Sequence, residues 1–195
     1  MGAKIIPFPM RGDVSVSDDE RDGVLIGADE MIAKGGRDLL AQLLKGIHSE
    51  IVLAAEGEKL KSFGSLAELN LAQIESKIDK LLEDDLLRVE HYLGRTLLVH
   101  SPAGWERTKV LLAGRVYASL EQRASAGDAK GLYGELGRIH REVKLLVLTR
   151  VEETADARFA PMLESWRERE TKPVKRRIGE VLERLRCASP SSSPR

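Results

Sequence analysis

Between residues 35 and 104 the spacing of apolar positions passes from helical to extended and back, and this change organises the chain. Leu39, Leu40, Leu43, Leu44 and Ile47 recur at the three- and four-residue intervals of one helix face, predicting a helix over Gly35–Ile47 with Gly46 at its C-terminal cap. A short second helix is predicted over Ser49–Gly57, with Ile51, Val52 and Ala55 inward, followed by a turn at Ser62–Phe63–Gly64. Asn70 is a natural N-cap for a third helix, Leu71–Asp85, whose Leu71, Ile74, Ile78, Leu81 and Leu82 form one stripe. The period then falls to two. Leu87 and Val89 alternate with Arg88 and Glu90, and Leu97 and Val99 with Leu98 and His100. This predicts a hairpin over Leu86–Ser101, its tip at His91–Tyr92–Leu93–Gly94–Arg95, before Ser101–Pro102 caps and opens another helix.

Three helices and a β-hairpin within about seventy residues is the plan of a winged helix-turn-helix. After residue 104 the pattern is helical throughout. Val110, Ala113, Val116, Tyr117 and Leu120 line one helix, and a break follows at Gly127–Asp128. Leu132, Leu136, Ile139, Val143, Leu146 and Val147 line a second. Phe159, Met162, Leu163 and Trp166 line a third, and beyond Lys172–Pro173 a fourth carries Val174, Ile178, Val181, Leu182 and Leu185. The pair over Val151–Leu185 has the size of one HEAT-like unit, but no second copy accompanies it, so a small bundle fits equally well. The expected fold is mainly α, a winged helix followed by a helical C-terminal extension. Residues 1–30 are expected to be a mobile acidic tail, on the strength of Pro7, Pro9, Gly12 and the run Asp18–Asp19–Glu20, with a docked strand at Val14–Val16 as the alternative. Residues 31–106 then form the winged helix, 107–187 the helical domain, and 188–195 a disordered end.

A 42% hydrophobic content suffices for a core, but aromatics at 4% leave Leu, Ile, Val and Ala to fill it. The single Cys187 cannot close an internal disulfide and suits a reducing cytosol. No apolar run reaches membrane-spanning length, and Ile5–Ile6–Pro7–Phe8–Pro9 is too short and proline-rich for a signal-peptide core. A soluble, cytoplasmic protein is expected. The four histidines, His48, His91, His100 and His140, lack metal-ligand spacing, and Gly127, Gly131, Gly134 and Gly137 fit no phosphate-binding loop. Nothing assembles an active site, so neither a cofactor nor enzymatic activity is expected.

The net charge of zero conceals an asymmetry: residues 1–30 carry 3 basic and 7 acidic side chains, residues 31–100 carry 9 and 11, and residues 101–195 carry 19 and 13. The predicted third helix sets Lys77 and Lys80 against Glu75, Asp79, Glu83, Asp84 and Asp85. That excess of carboxylates opposes insertion into a groove lined by phosphates.

Several ordered features resemble the RQC domain, the winged helix found C-terminal in RecQ-family DNA helicases. They are Leu44–Lys45–Gly46, then Phe63–Gly64–Ser65–Leu66, then Ile74, Ile78, Leu81–Leu82 and Asp85–Leu86–Leu87, and finally Leu97–Leu98–Val99–His100–Ser101–Pro102–Ala103–Gly104. The resemblance covers roughly residues 35–106. The chain has no helicase motor, no Gly-x-x-x-x-Gly-Lys-Ser/Thr loop and no four-cysteine module, so it looks like a small stand-alone relative of the minor, non-helicase branch. Ile47, His48, Ser49 and Glu50 also stand where the family often has serine and basic residues.

The resemblance implies DNA binding in which the wing meets a duplex end or fork. Tyr92 suits stacking on an exposed base, beside His91, and equally suits an ordinary hairpin aromatic covering its neighbour strand, while Arg88 and Arg95 suit phosphates. Lys45, His48, Ser49, Lys59, Lys61 and Ser62 are candidates for clamping the backbone from the helix loops, and Gln73 and Lys77 for contacts from the third helix. The sequence does not choose between DNA and RNA, nor between these and a protein partner bound through the C-terminal helices. Lys172, Lys175, Arg176 and Arg177, with Arg184 and Arg186 beyond, are a second basic candidate that equally fits a solvated helix face, as do Arg138, Arg141 and Lys144.

Overall fold

A computed structural model describes residues 14–127 and 136–188. The expectations for residues 1–13 and 189–195, and for Asp128, Gly131, Leu132 and Gly134, lie outside the described residues. The chain divides into two compact units, Met1–Thr108 and Lys109–Arg195.

The first unit begins with a helix that the sequence pattern missed. Helix α1 (Asp18–Glu30) is closed by a reciprocal capping box: Ser17 Oγ accepts from the Glu20 N–H at 3.2 Å, and Glu20 Oε2 accepts from the Ser17 N–H at 2.8 Å. The run Asp18–Asp19–Glu20, read above as part of a mobile tail, is the acidic first turn that a helix dipole favours. Residues 18–30 are therefore corrected from tail to core. Val24, Leu25, Ile26, Gly27 and Ala28 are all buried, and a Cβ on Gly27 would stand 2.8 Å from Leu44 Cδ2.

The connector after α1 lies along the hairpin, the Gly35 carbonyl accepting from the Leu98 N–H at 3.1 Å. Helix α2 (Arg37–Lys45) buries Leu39, Leu40, Ala41, Leu43 and Leu44 and ends at Gly46, whose φ of +79° is the expected left-handed cap. Gly64, also left-handed at φ +71°, abuts it so closely that a Cβ on Gly46 would stand 3.0 Å from the Gly64 α-carbon. The Gly64 N–H donates to Leu43 and the Leu66 N–H to Leu44, both at 2.9 Å, so two short motifs far apart in sequence form one joint.

Helix α3 (Glu50–Ala54) is capped by Ser49 and buries Val52. Ile51, expected inward, is 46% exposed because so short a helix turns only one residue into the core. Helix α4 (Leu71–Glu83) has the expected Asn70 cap, reinforced by Gln73 in a second capping box, and buries Ile74, Ile78 and Leu81.

Strands β1 (Leu87–Tyr92) and β2 (Arg95–His100) pair antiparallel, with Leu87 opposite His100, Val89 opposite Leu98 and Tyr92 opposite Arg95. Leu87 and Leu98 are buried, whereas Val89, expected inward, is 46% exposed although it stands directly opposite Leu98, and Leu97 and Val99 are only half-buried. Helix α5 (Pro102–Ala126) starts on Ser101, whose Oγ accepts from the Gly104 N–H at 2.9 Å.

In the second unit, α7 (Ala160–Arg167) and α8 (Lys172–Ala188) bury the predicted stripes, whereas α6 (Arg141–Thr154) leaves the predicted Leu146 half-buried and buries Leu148 and Val151, which the predicted stripe did not include. Val143, Val147 and Val151 of α6, Met162, Leu163 and Trp166 of α7, and Val174, Ile178, Val181, Leu182 and Leu185 of α8 are all in the interior. Val110, predicted to face inward from α5, is 47% exposed. No helix among the described residues is long and apolar enough to cross a membrane.

Candidate nucleic-acid interface

Helix α4 is the element that a winged helix ordinarily offers to a groove, and here its cations are engaged. Lys77 is buried, and its ammonium donates to Glu20 Oε2 at 2.8 Å and to the Ser15 carbonyl at 3.0 Å. Lys77 is thus removed from the candidate contacts: the N-terminus of α1 covers it. Burial pushes the Glu20 carboxyl up, but hydrogen bonds from Lys77 and from Ser17 outweigh it and hold the group below the ordinary glutamate value. Lys80 pairs with Asp84 at 3.0 Å. Arg37 closes on Asp79 with two bonds, at 2.5 and 3.0 Å, and meets Glu75 at 3.2 Å. The Gln73 carbonyl is occupied by the Asn70 N–H at 2.8 Å.

Several of the helix-loop candidates are similarly committed, while His48 and Lys61 are not. Ser62 is buried, its N–H donating to Glu30 Oε2 at 2.9 Å, so it too leaves the set of candidate contacts. The Lys45 ammonium donates to the Ala67 carbonyl, Ser49 caps α3, and Lys59 pairs with Glu56 at 2.7 Å. His48 is exposed and leans on Phe63 with ring centroids 4.9 Å apart. Lys61 is exposed and has no hydrogen bond or ion pair to another described residue.

The wing differs. Its two-residue turn places Leu93 at φ +47° and Gly94 at φ +74°, the conformation that matches the twist of paired strands. Leu93 is 85% exposed and Tyr92 is 65% exposed. Arg95, directly across from Tyr92, is exposed and pairs with no described carboxylate. His91 is exposed, its Nδ1 lying 3.4 Å from Thr96 Oγ1. Arg88, by contrast, is held by Asp85 through two bonds at 3.0 and 3.1 Å, which also depress the Asp85 carboxyl below its ordinary range. The structure thus brings His91, Tyr92 and Arg95 together and adds Leu93, which the sequence reading placed in the turn but not among the contacts. The signal was available: leucine is poorly suited to positive φ, so its presence there calls for a reason outside the turn.

An open groove runs from Arg95 and Thr96 at the wing, past Lys34–Arg37, to Ile51 of α3. Among the described residues no group of three or more His, Cys, Asp or Glu side chains is placed to hold a metal ion.

Helices α1–α4 with a projecting hairpin define a winged-helix protein whose most exposed large apolar side chain among the described residues, Leu93, sits at the wing tip. A family model described as the RQC domain matches residues 26–125, just over half of the chain, and the chain belongs to that family. The match begins within α1 and runs through most of α5, wider on both sides than the resemblance read from sequence. No curated protein and no solved structure matches it.

Proposed function

We propose that this RQC-family chain is a non-enzymatic DNA-binding protein that recognises structured DNA, duplex ends or forks, through its wing. The observation that carries this reading is the wing tip, where Leu93 and Tyr92 project into solvent beside an uncompensated Arg95. A flat aromatic ring and an apolar side chain suit the exposed face of a terminal base pair, and base stacking on an aromatic is worth about 1–3 kcal/mol. Arg95 then holds the adjoining phosphate. The engaged cations of α4 argue against major-groove reading and so favour recognition by shape over base sequence.

The test is titration of blunt duplex, forked and single-stranded DNA over a salt series. Tighter binding to forks and ends than to single strands, reduced about tenfold or more by Tyr92→Ala, is expected. Equal affinity for all three probes, or none at low salt, would overturn the proposal. A second reading, an adaptor that binds a protein partner, is favoured by Ile51 and Leu53, both nearly half exposed on α3. It predicts that Ile51→Ser leaves DNA binding unchanged and abolishes capture of that partner.

A further inference from the structure

The two compact units carry opposite charge. Residues 14–108 hold eleven Lys and Arg against eighteen Asp and Glu, whereas residues 109–195 hold eighteen against twelve. Nucleic acid is held largely by neutralising its phosphates. The winged-helix unit, taken alone, repels the polyanion that its wing is suited to touch. The compensating charge resides in the helical unit.

Ion pairing narrows which of those cations are available. Arg177 and Arg184 both close on Glu152, at 2.6 and 3.1 Å, and Arg186 on Glu164 at 3.1 Å. Lys144 is buried against Glu170. Arg167, Lys172 and Lys175 have no side-chain hydrogen bond or ion pair to another described residue, and Arg176 reaches only a half-exposed Glu180 at 3.6 Å. Arg167 of α7 and Lys175 of α8 line one cleft, together with Glu164, already bonded to Arg186, and Glu168. Lys172, Lys175 and Arg176 follow one another on one face at the start of α8, and at Lys172, in the first turn, the helix dipole disfavours a cation by about 0.3–1 kcal/mol. Helix stability therefore does not account for Lys172, and an external anion would be attracted to all three.

We infer that Arg167, Lys172, Lys175 and Arg176 form a phosphate-holding face, on which the backbone of duplex DNA lies. The inference rests on the nucleic-acid reading above and divides the labour: the wing supplies stacking, and the helical unit supplies charge.

The experiment uses the full chain carrying Lys172→Gln, Lys175→Gln and Arg176→Gln, its folding checked by thermal unfolding, with a blunt DNA duplex titrated from low to physiological salt. Each phosphate contact contributes about 0.9 to the slope of log affinity against log salt, so the slope is expected to become shallower by about 2–3. A control set with the same charge change in the same unit, Arg138→Gln, Arg141→Gln and Arg150→Gln, is expected to leave the slope as it was. Tyr92→Ala is expected to lower affinity at unchanged slope. An unchanged slope in the first variant, or an equal loss in the control, overturns the face and leaves the wing reading standing. Absence of duplex binding by the wild-type chain at low salt overturns both. Salt-sensitive self-association that the first variant abolishes, with its DNA slope unaltered, would assign the face to the acidic unit of a second copy and overturn the inference.

Discussion

The ammonium of Lys77 on α4 lies 2.8 Å from the Glu20 carboxylate on α1, 57 positions away in sequence. This pair takes the best-placed cation of the would-be recognition helix and makes it a fastener between two core helices. Lys77→Ala leaves Glu20 partly buried without its partner and should cost about 1–3 kcal/mol, measured by urea denaturation. DNA affinity should stay within twofold of wild type. Because the Glu20 carboxyl is held below its ordinary value of 4.5, its contribution is fully present above that pH and is lost as the pH falls through the lower folded-state value. Glu20→Gln should accordingly flatten the acid limb of the stability–pH curve.

Gly104 stands against the Leu86 carbonyl, where α5 departs from the end of the wing. A Cβ there would lie 1.8 Å from that oxygen, and the neighbouring atom is backbone, so Gly104→Ala should destabilise by about 3 kcal/mol or more. Ala103→Gly, at an exposed position in the same turn, should cost under about 1 kcal/mol. Comparable melting temperatures for the two variants would refute the close-approach explanation.

Gly46 combines left-handed backbone with a 3.0 Å approach to Gly64. Gly46→Ala meets both penalties and should cost about 1–3 kcal/mol by thermal or chemical unfolding. Gly94→Ala, with the same sign of φ and open space around it, should cost only the backbone share, about 1–2 kcal/mol.

Leu93 separates stability from binding. Asparagine suits the first position of this turn better than leucine does. Leu93→Asn should leave the melting temperature unchanged or raise it, while weakening binding to duplex ends at least severalfold. Undiminished end binding would show that Leu93 serves the fold alone.

Arg88 and Arg95 lie on the same hairpin but in different electrostatic company. Asp85 already compensates Arg88, whereas no described carboxylate meets Arg95. In the 195-residue chain Arg95→Gln should reduce DNA affinity severalfold and Arg88→Gln much less, as read by titration at constant salt. The reverse order would move the contact surface down the wing.

By itself the sequence determined the elements whose signals are short-range. The Leu39–Leu44 and Ile74–Leu81 stripes, the Asn70 cap, the glycine at 46 and the two-residue alternation each depend on residues within a few positions of one another, so α2, α4 and the wing were legible. Helix α1 was not, because Val24 through Ala28 are buried on every side and leave no helical period to detect, although its Ser17–Glu20 capping signature was present. Only tertiary structure decided which cations and hydroxyls are free. Lys77 and Ser62 look like contact residues in sequence; Glu20, a partner that only folding brings near, withdraws Lys77, and burial in the folded core withdraws the Ser62 hydroxyl. Tyr92 and Leu93 remain exposed for the complementary reason: the hairpin outruns the core that would cover them.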